Sequence, residues 1–139
     1  MKTNSKETVR LLIDEVFNQG NLSVLEEIVH PDYCYESPTE TMEGIADLKA
    51  FAQAFRSAFP DLHISIDDQI AEGEKVSTRI SMTGTHRGDF LGLPATDRKV
   101  ELQGVVLSRL EEGLIKNEWE LLDQLALLQQ LGIVQNESV

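Results

Sequence analysis

The chain carries one cysteine, four prolines and half as many basic as acidic residues, and these shortages narrow what it can be. Cys34 has no second cysteine to pair with, so no internal disulfide can staple the fold. Its neighbours Tyr33 and Tyr35 bring no cationic group to activate a thiolate, and a buried or half-buried small residue is expected there. With 12 Lys and Arg against 24 Asp and Glu, the net charge of -12 opposes binding to nucleic acid or to anionic membrane surfaces. No apolar run is long enough to span a bilayer, and Glu7, Arg10 and Asp14 interrupt any signal-peptide core after Lys2 and Lys6. A reducing cytoplasm is the expected location. His30 and His63 lack metal-ligand spacing with each other or with Cys34, so no metal site is expected. Glycine-rich phosphate loops, nucleophile elbows and dinucleotide fingerprints are missing too, which leaves cofactor-free chemistry as the enzymatic reading.

What is present reads as one domain over residues 1–139, with a tail from about 134 expected to fray. Asn4 and Glu7 make a capping box for an amphipathic helix with Val9, Leu12, Ile13, Val16 and Phe17 on one face, stopped by Gly20. A second short helix, capped by Asn21 or Ser23, presents Leu22, Leu25, Ile28 and Val29 and ends before Pro31. Tyr33 to Glu36 is a short strand, and Ile45 to Ala58 a third helix terminated by Pro60. The period then becomes two: Leu62, Ile64, Ile66 and Ile70 alternate with polar residues, and Glu72 to Lys75 turns the chain. In the next strand Val76, Ile80 and Met82 share a face, which carried forward places His86 on the apolar side unless Gly84 bulges. Gly88 to Arg98 is a loop able to cover a pocket mouth. Val100 to Leu110 and Leu114 to Leu122 are long strands, and a last short helix, Gln124 to Leu131, stops at Gly132. In the first of these, the run Val105, Val106 and Leu107 fits a sheet covered on both faces. Helices followed by antiparallel strands indicate an α+β fold in which helices pack on one face of a curved sheet and enclose a cavity.

Alternation from Ile115 puts Asn117, Trp119, Leu121 and Asp123 on one strand face, so a carboxylate ends an apolar stripe. Burial there would raise its pKa and make a base able to take a proton from carbon. Asp123 also precedes Gln124 to Leu128, where a helix N-cap would lower it instead. His86 is either its inward-facing partner or a strand-end residue facing solvent. Trp119 is pocket wall or core, and Tyr33 or Tyr35 can donate to a ligand oxygen. Phe55, Met82 and Phe90 complete the expected substrate-binding wall.

Pro31-Asp32-Tyr33, Glu43-Gly44 opening a helix that ends Ala58-Phe59-Pro60-Asp61, Gly84 to Pro94, Trp119 to Asp123, and Gln130-Leu131-Gly132 recur in a fixed order. In these the chain resembles the SnoaL-like polyketide cyclases, or ester cyclases, of the NTF2-like superfamily. The resemblance implies an α+β cone with an internal cavity, and a homodimer or homotetramer built through the outer sheet face. It also implies a small hydrophobic carbonyl substrate, closed into a ring by intramolecular aldol condensation without metal or cofactor. Asp123 matches the family's acid/base and His86 its assistant. Tyr35-Glu36 and the loop Pro94 to Lys99 depart from the commoner pattern and alter the pocket lining and entrance. A ketosteroid-type isomerase and a non-catalytic small-molecule binding domain are the alternatives, since one superfamily houses many activities.

Overall fold

A computed structural model describes residues 4–133; the tail expected to fray from about 134 lies outside them. Asn4 caps helix α1 (Ser5–Leu11) by accepting from the Glu7 N–H, as its spacing predicts. The helix runs on as a π-helical segment, Leu12–Asn18, and Gly20 ends it with φ 76. A Cβ on Gly20 would stand 2.8 Å from the Arg56 Nε, so the turn needs glycine for space as well as for backbone angle. Arg56 donates to the Phe17 and Asn18 carbonyls, satisfying the helix end. The Asn18 side chain both accepts from and donates to the backbone of Ile64, docking that end on the sheet.

A short 3-10 turn, Leu22–Val24, leads into α2 (Leu25–Ile28) and directly into strand β1 (Val29–Glu36). No side chain caps α2, although Asn21 and Ser23 were the expected candidates. Pro31 therefore lies inside a strand longer than Tyr33 to Glu36. It is tolerated because pairing is interrupted between Val29 and Cys34. Strand β2 (Thr41–Glu43), which has no period of its own, precedes α3 (Gly44–Ala58). Four long strands follow: β3 (His63–Glu72), β4 (Lys75–Thr85), β5 (Lys99–Glu111) and β6 (Leu114–Leu122). Helix α4 (Gln124–Gln130) closes the described chain.

The six strands lie in the order β2-β1-β6-β5-β4-β3, all antiparallel except β1 against β6, and the buried apolar residues form one cluster between this sheet and the helices. The architecture is the expected α+β one.

Two bulges decide which side chains face that cluster. In β3, Ile66 pairs with Ile80 but Asp68 with Arg79, so Asp67 is an extra residue. Beyond it Gln69 turns inward, donating to Thr78 and to the Lys6 carbonyl, and Ile70 is left 67% exposed. In β6, Leu110 pairs with Ile115 but Arg109 with Asn117, so Lys116 is extra. Ile115 is buried, and after the bulge Glu118 faces inward with it while Trp119 and Leu121 face out. The stripe expected from strict alternation is thus reversed, and Trp119, 37% exposed, is a wall of the outer face and not of the interior. Cys34 is likewise exposed, because Tyr33 and Tyr35 on either side of it point inward.

Candidate active site

The inward face of β6 carries Glu118 and Glu120, and the inward face of β1 beside it carries Tyr33 and Tyr35 at the same spacing. Each tyrosine meets one glutamate: Tyr33 Oη donates to Glu118 Oε1 at 2.8 Å, and Tyr35 Oη to Glu120 Oε1 at 2.5 Å. Ser108 on β5 donates to the other oxygen of Glu118 at 2.6 Å, so that carboxyl is held on both sides. Burial pushes Glu118 up to about 7, against the Ser108 and Tyr33 hydroxyls, which favour the ionised form; the charge of Glu120 adds to the rise. Burial also raises Glu120, opposed by the hydrogen bond from Tyr35 and assisted by the nearby charge of Glu40. Desolvation and the adjacent carboxylates push both tyrosines well above their ordinary range, so they stay protonated and remain donors.

These pairs line two adjoining spaces. An inner chamber of about 70 Å³ is bounded by Leu12, Tyr33, Ile80, Met82, Glu118 and the rings of α3. Outside it a mouth of about 390 Å³ is lined by Phe51, Phe55, Phe90, Leu91, Glu40 and Asp89. Tyr35, Glu120, Phe51, Phe55 and Leu122 belong to both and mark the junction. The α3 stripe supplies Phe51, Phe55 and, just past its end, Phe59, whose ring centroids follow one another at 5.6 Å. Phe90 reaches from the 86–98 loop to pack against Phe55 and Phe59 at 5.3 and 5.4 Å. The loop is pinned by Arg87 and Gly88, which donate to the Ala58 carbonyl; a Cβ on Gly88 would lie 2.4 Å from the Ser57 oxygen.

Tyr33, Tyr35, Phe55, Met82 and Phe90 line these two spaces. Asp123 and His86 do not line either space. Asp123 is exposed and caps α4, accepting from the Ala126 N–H at 3.0 Å, which is the second of its two sequence readings. His86 is buried on the apolar side of β4, as its register predicts with no bulge at Gly84. Its ring lies against Phe59, and Nδ1 is 3.0 Å from Thr96 Oγ1. The backbone of His86 pairs with Arg98 and that of Asp123 with Gln103. These partners are five residues apart along the chain, roughly 16 Å at ~3.3 Å per residue, and His86 and Asp123 lie on opposite edges of β5, so the expected pair does not meet. Glu118 and Glu120 went unrecognised because the bulge at Lys116 moves them inside; the matched spacing of Tyr33, Tyr35 with Glu118, Glu120 is the signal that could have found them. Among the described residues, no three of His, Cys, Asp and Glu converge in the manner of a metal site, and no helix is long and apolar enough to cross a membrane.

The chain as a whole has relatives. Nogalonic acid methyl ester cyclase of Streptomyces nogalater is 33% identical over 121 residues, covering 84% of this chain and 89% of the relative. Aklanonic acid methyl ester cyclase DnrD of Streptomyces peucetius is 27% identical, covering 85% and 84%. Among solved structures, a SnoaL-like protein from Jannaschia sp. CCS1 superposes with a TM-score of 0.87 at 27% identity, covering 96% of this chain and 94% of that one. TsrD from Streptomyces laurentii gives 0.84 at 28%, covering 93% and 95%. The family model for SnoaL-like polyketide cyclases matches residues 7–131, from within α1 to just past α4, and the chain belongs to that family.

Proposed function

We propose that the protein closes a ring in a hydrophobic polyketide-type carbonyl compound by cofactor-free aldol condensation, with Glu120 as the base. The observation that carries this reading is the Tyr35–Glu120 pair at the junction of an aromatic mouth and an apolar inner chamber. Burial raises the proton affinity of Glu120, and a base poised nearer neutrality suits removal of a proton alpha to a carbonyl. The C–H electron pair moves to the carbonyl oxygen, giving an enolate. As Glu120 takes the proton it ceases to need the hydrogen of Tyr35, whose hydroxyl is then free to turn to the enolate oxygen. The enolate carbon attacks a second carbonyl of the same molecule, forming the ring and leaving an alkoxide to be protonated. Phe51, Phe55 and Phe90 offer flat surfaces to a polycyclic body.

Charge at the mouth supports a substrate without a free acid. Glu40, Asp89 and Glu120 line it and no lysine or arginine does, so a carboxylate would be repelled there. The relatives named for methyl ester substrates support the same choice. The test is incubation with methyl esters of polycyclic aromatic ketones bearing a 1,3-dicarbonyl side chain, in deuterated water. Ring closure gives an isomer of equal mass apart from deuterium taken up at the reacting carbon. If neither isomer nor exchange appears while the ketone still binds, the protein is a carrier and the proposal falls.

In this reading Asp123 stabilises a helix. Asp123→Ala should cost about 1 kcal/mol in chemical denaturation, the usual value of a lost cap, and leave turnover intact. A second copy of the chain is the expected partner for the outer sheet face, where Leu107, Trp119 and Leu121 are exposed on the adjacent strands β5 and β6 and Ile70 on β3. Leu121→Lys should convert the assembly to monomers in sedimentation velocity; an unchanged oligomer would move the interface elsewhere.

A further inference from the structure

We propose that Tyr33 is a second proton donor of the site and that Glu118 is the buried positioning residue that charges it. The inference rests on Glu120 being the base, and its test separates the two.

The geometry divides the labour. Glu118 and Glu120 lie two residues apart on one strand face, roughly 6.6 Å at ~3.3 Å per residue. Glu120 and Tyr35 stand at the junction, whereas Tyr33 lines only the inner chamber and Glu118 lines that chamber but not the mouth. A substrate whose acidic carbon meets Glu120 can send its second carbonyl inward, because a chamber of about 70 Å³ admits a carbonyl with a small substituent but no ring system. The alkoxide formed on that carbonyl then faces Tyr33. The first helix, α3 and β4 present only apolar side chains to the chamber, β5 adds Val106, and the neutral Ser108 of β5 meets Glu118 by its hydroxyl. On the chamber side the titratable groups facing Glu118 are Tyr33, Tyr35 and Glu120, with Glu40 and Asp89 further out at the mouth; the groove on the other side of the sheet, which Glu118 also borders, carries Glu36, Glu43, Glu72, Glu74, Lys75, Arg109 and Glu111.

The two hydroxyls on Glu118 make the device directional. When Glu118 is ionised, Tyr33 and Ser108 both donate to it and neither offers a hydrogen to the chamber. When Glu118 is protonated on Oε1, that oxygen donates to Tyr33, whose own hydrogen turns into the chamber while Ser108 keeps Oε2. Burial favours this protonated form up to about neutrality. In the step itself the alkoxide takes the Tyr33 hydrogen as Tyr33 takes that of Glu118, leaving the product alcohol and an ionised Glu118. Glu120 holds the proton removed from carbon. It releases that proton to solvent at the mouth, one returns to Glu118, and the cycle balances.

The experiment is the pH–rate profile of ring closure in the wild type, Ser108→Ala, Glu118→Gln and Tyr33→Phe. It is paired with an infrared titration, without substrate, of the un-ionised carboxylic carbonyl band. The wild-type rate should fall as pH rises through about 7. Ser108→Ala removes a donor that favours the ionised form, so this limb should move up by on the order of one pH unit. Glu118→Gln should abolish the limb and cost about 10²-fold in rate. Tyr33→Phe should cost a similar factor and keep the infrared band, which Glu118→Gln loses. An unmoved limb in Ser108→Ala, or a wild-type band lost well below neutrality, overturns the inference. Full turnover in Glu120→Gln would instead overturn the base assignment, with the infrared arm still reporting on Glu118.

Discussion

Glu120→Gln should lose about 10²- to 10⁴-fold in turnover, the range that a positioned general base contributes, while the protein remains folded. The amide keeps the shape of the side chain, and its carbonyl oxygen still accepts from Tyr35, so neither the wall of the mouth nor the pair with β1 needs to rearrange. What is lost is the ability to take a proton from carbon. Deuterium exchange at the substrate carbon should disappear together with ring closure, since both require the same abstraction. Asp123→Asn is the matching control, because its carboxylate faces solvent and the Ala126 N–H and not the cavity. Exchange retained in Glu120→Gln and lost in Asp123→Asn would return the role of base to Asp123.

A large effect of a different kind is expected on stability. A carboxyl that titrates at about 7 when folded and near 4.5 when unfolded binds more protons in the folded state across that interval. Stability therefore falls as pH rises through it, by on the order of 3 kcal/mol for Glu118 alone, and stays level above it. The sign is opposite to that of a salt-bridged carboxylate. Asp61, held by Thr85, lies below its ordinary value and contributes stability that is lost only at more acidic pH. Glu118→Gln cannot ionise, so the difference between variant and wild type should grow with pH and reach roughly 10 °C in melting temperature by neutrality. Measuring that difference at several pH values cancels the contributions of the other acidic groups. A difference that does not change between about pH 5 and 7 would mean that Glu118 is not held in its neutral form.

Most of the elements were legible in the sequence because their signals are local. Asn4, Gly20 and Pro60 mark helix ends by backbone chemistry that no partner is needed to define. The inward face of β4 followed from simple alternation, and so did the burial of His86, because that strand pairs with β5 without interruption. The site was harder to see for a physical reason. Whether Glu118 or Trp119 points inward depends on one extra residue at Lys116, and an extra residue exists only relative to the partner strand. The same slip at Asp67 exchanged Ile70 for Gln69. Asp123 had two readings that its own segment could not separate, and its hydrogen bond from the Ala126 N–H makes it the cap of α4. Family resemblance identified the family and the fold, because its motifs are spread in order over nearly the whole chain.

The parallel seam between β1 and β6 also governs when the site can come into being. Tyr33 and Glu118 are 85 positions apart, as are Tyr35 and Glu120, and no local turn brings them together. Contacts of such long range carry a loop-closure cost and tend to form late in folding. During synthesis the tyrosines leave the ribosome with the first strand and wait for the glutamates until most of the chain has followed. A chain that ends anywhere between them has the tyrosines without their glutamates, so the paired site is complete only once β6 is in place.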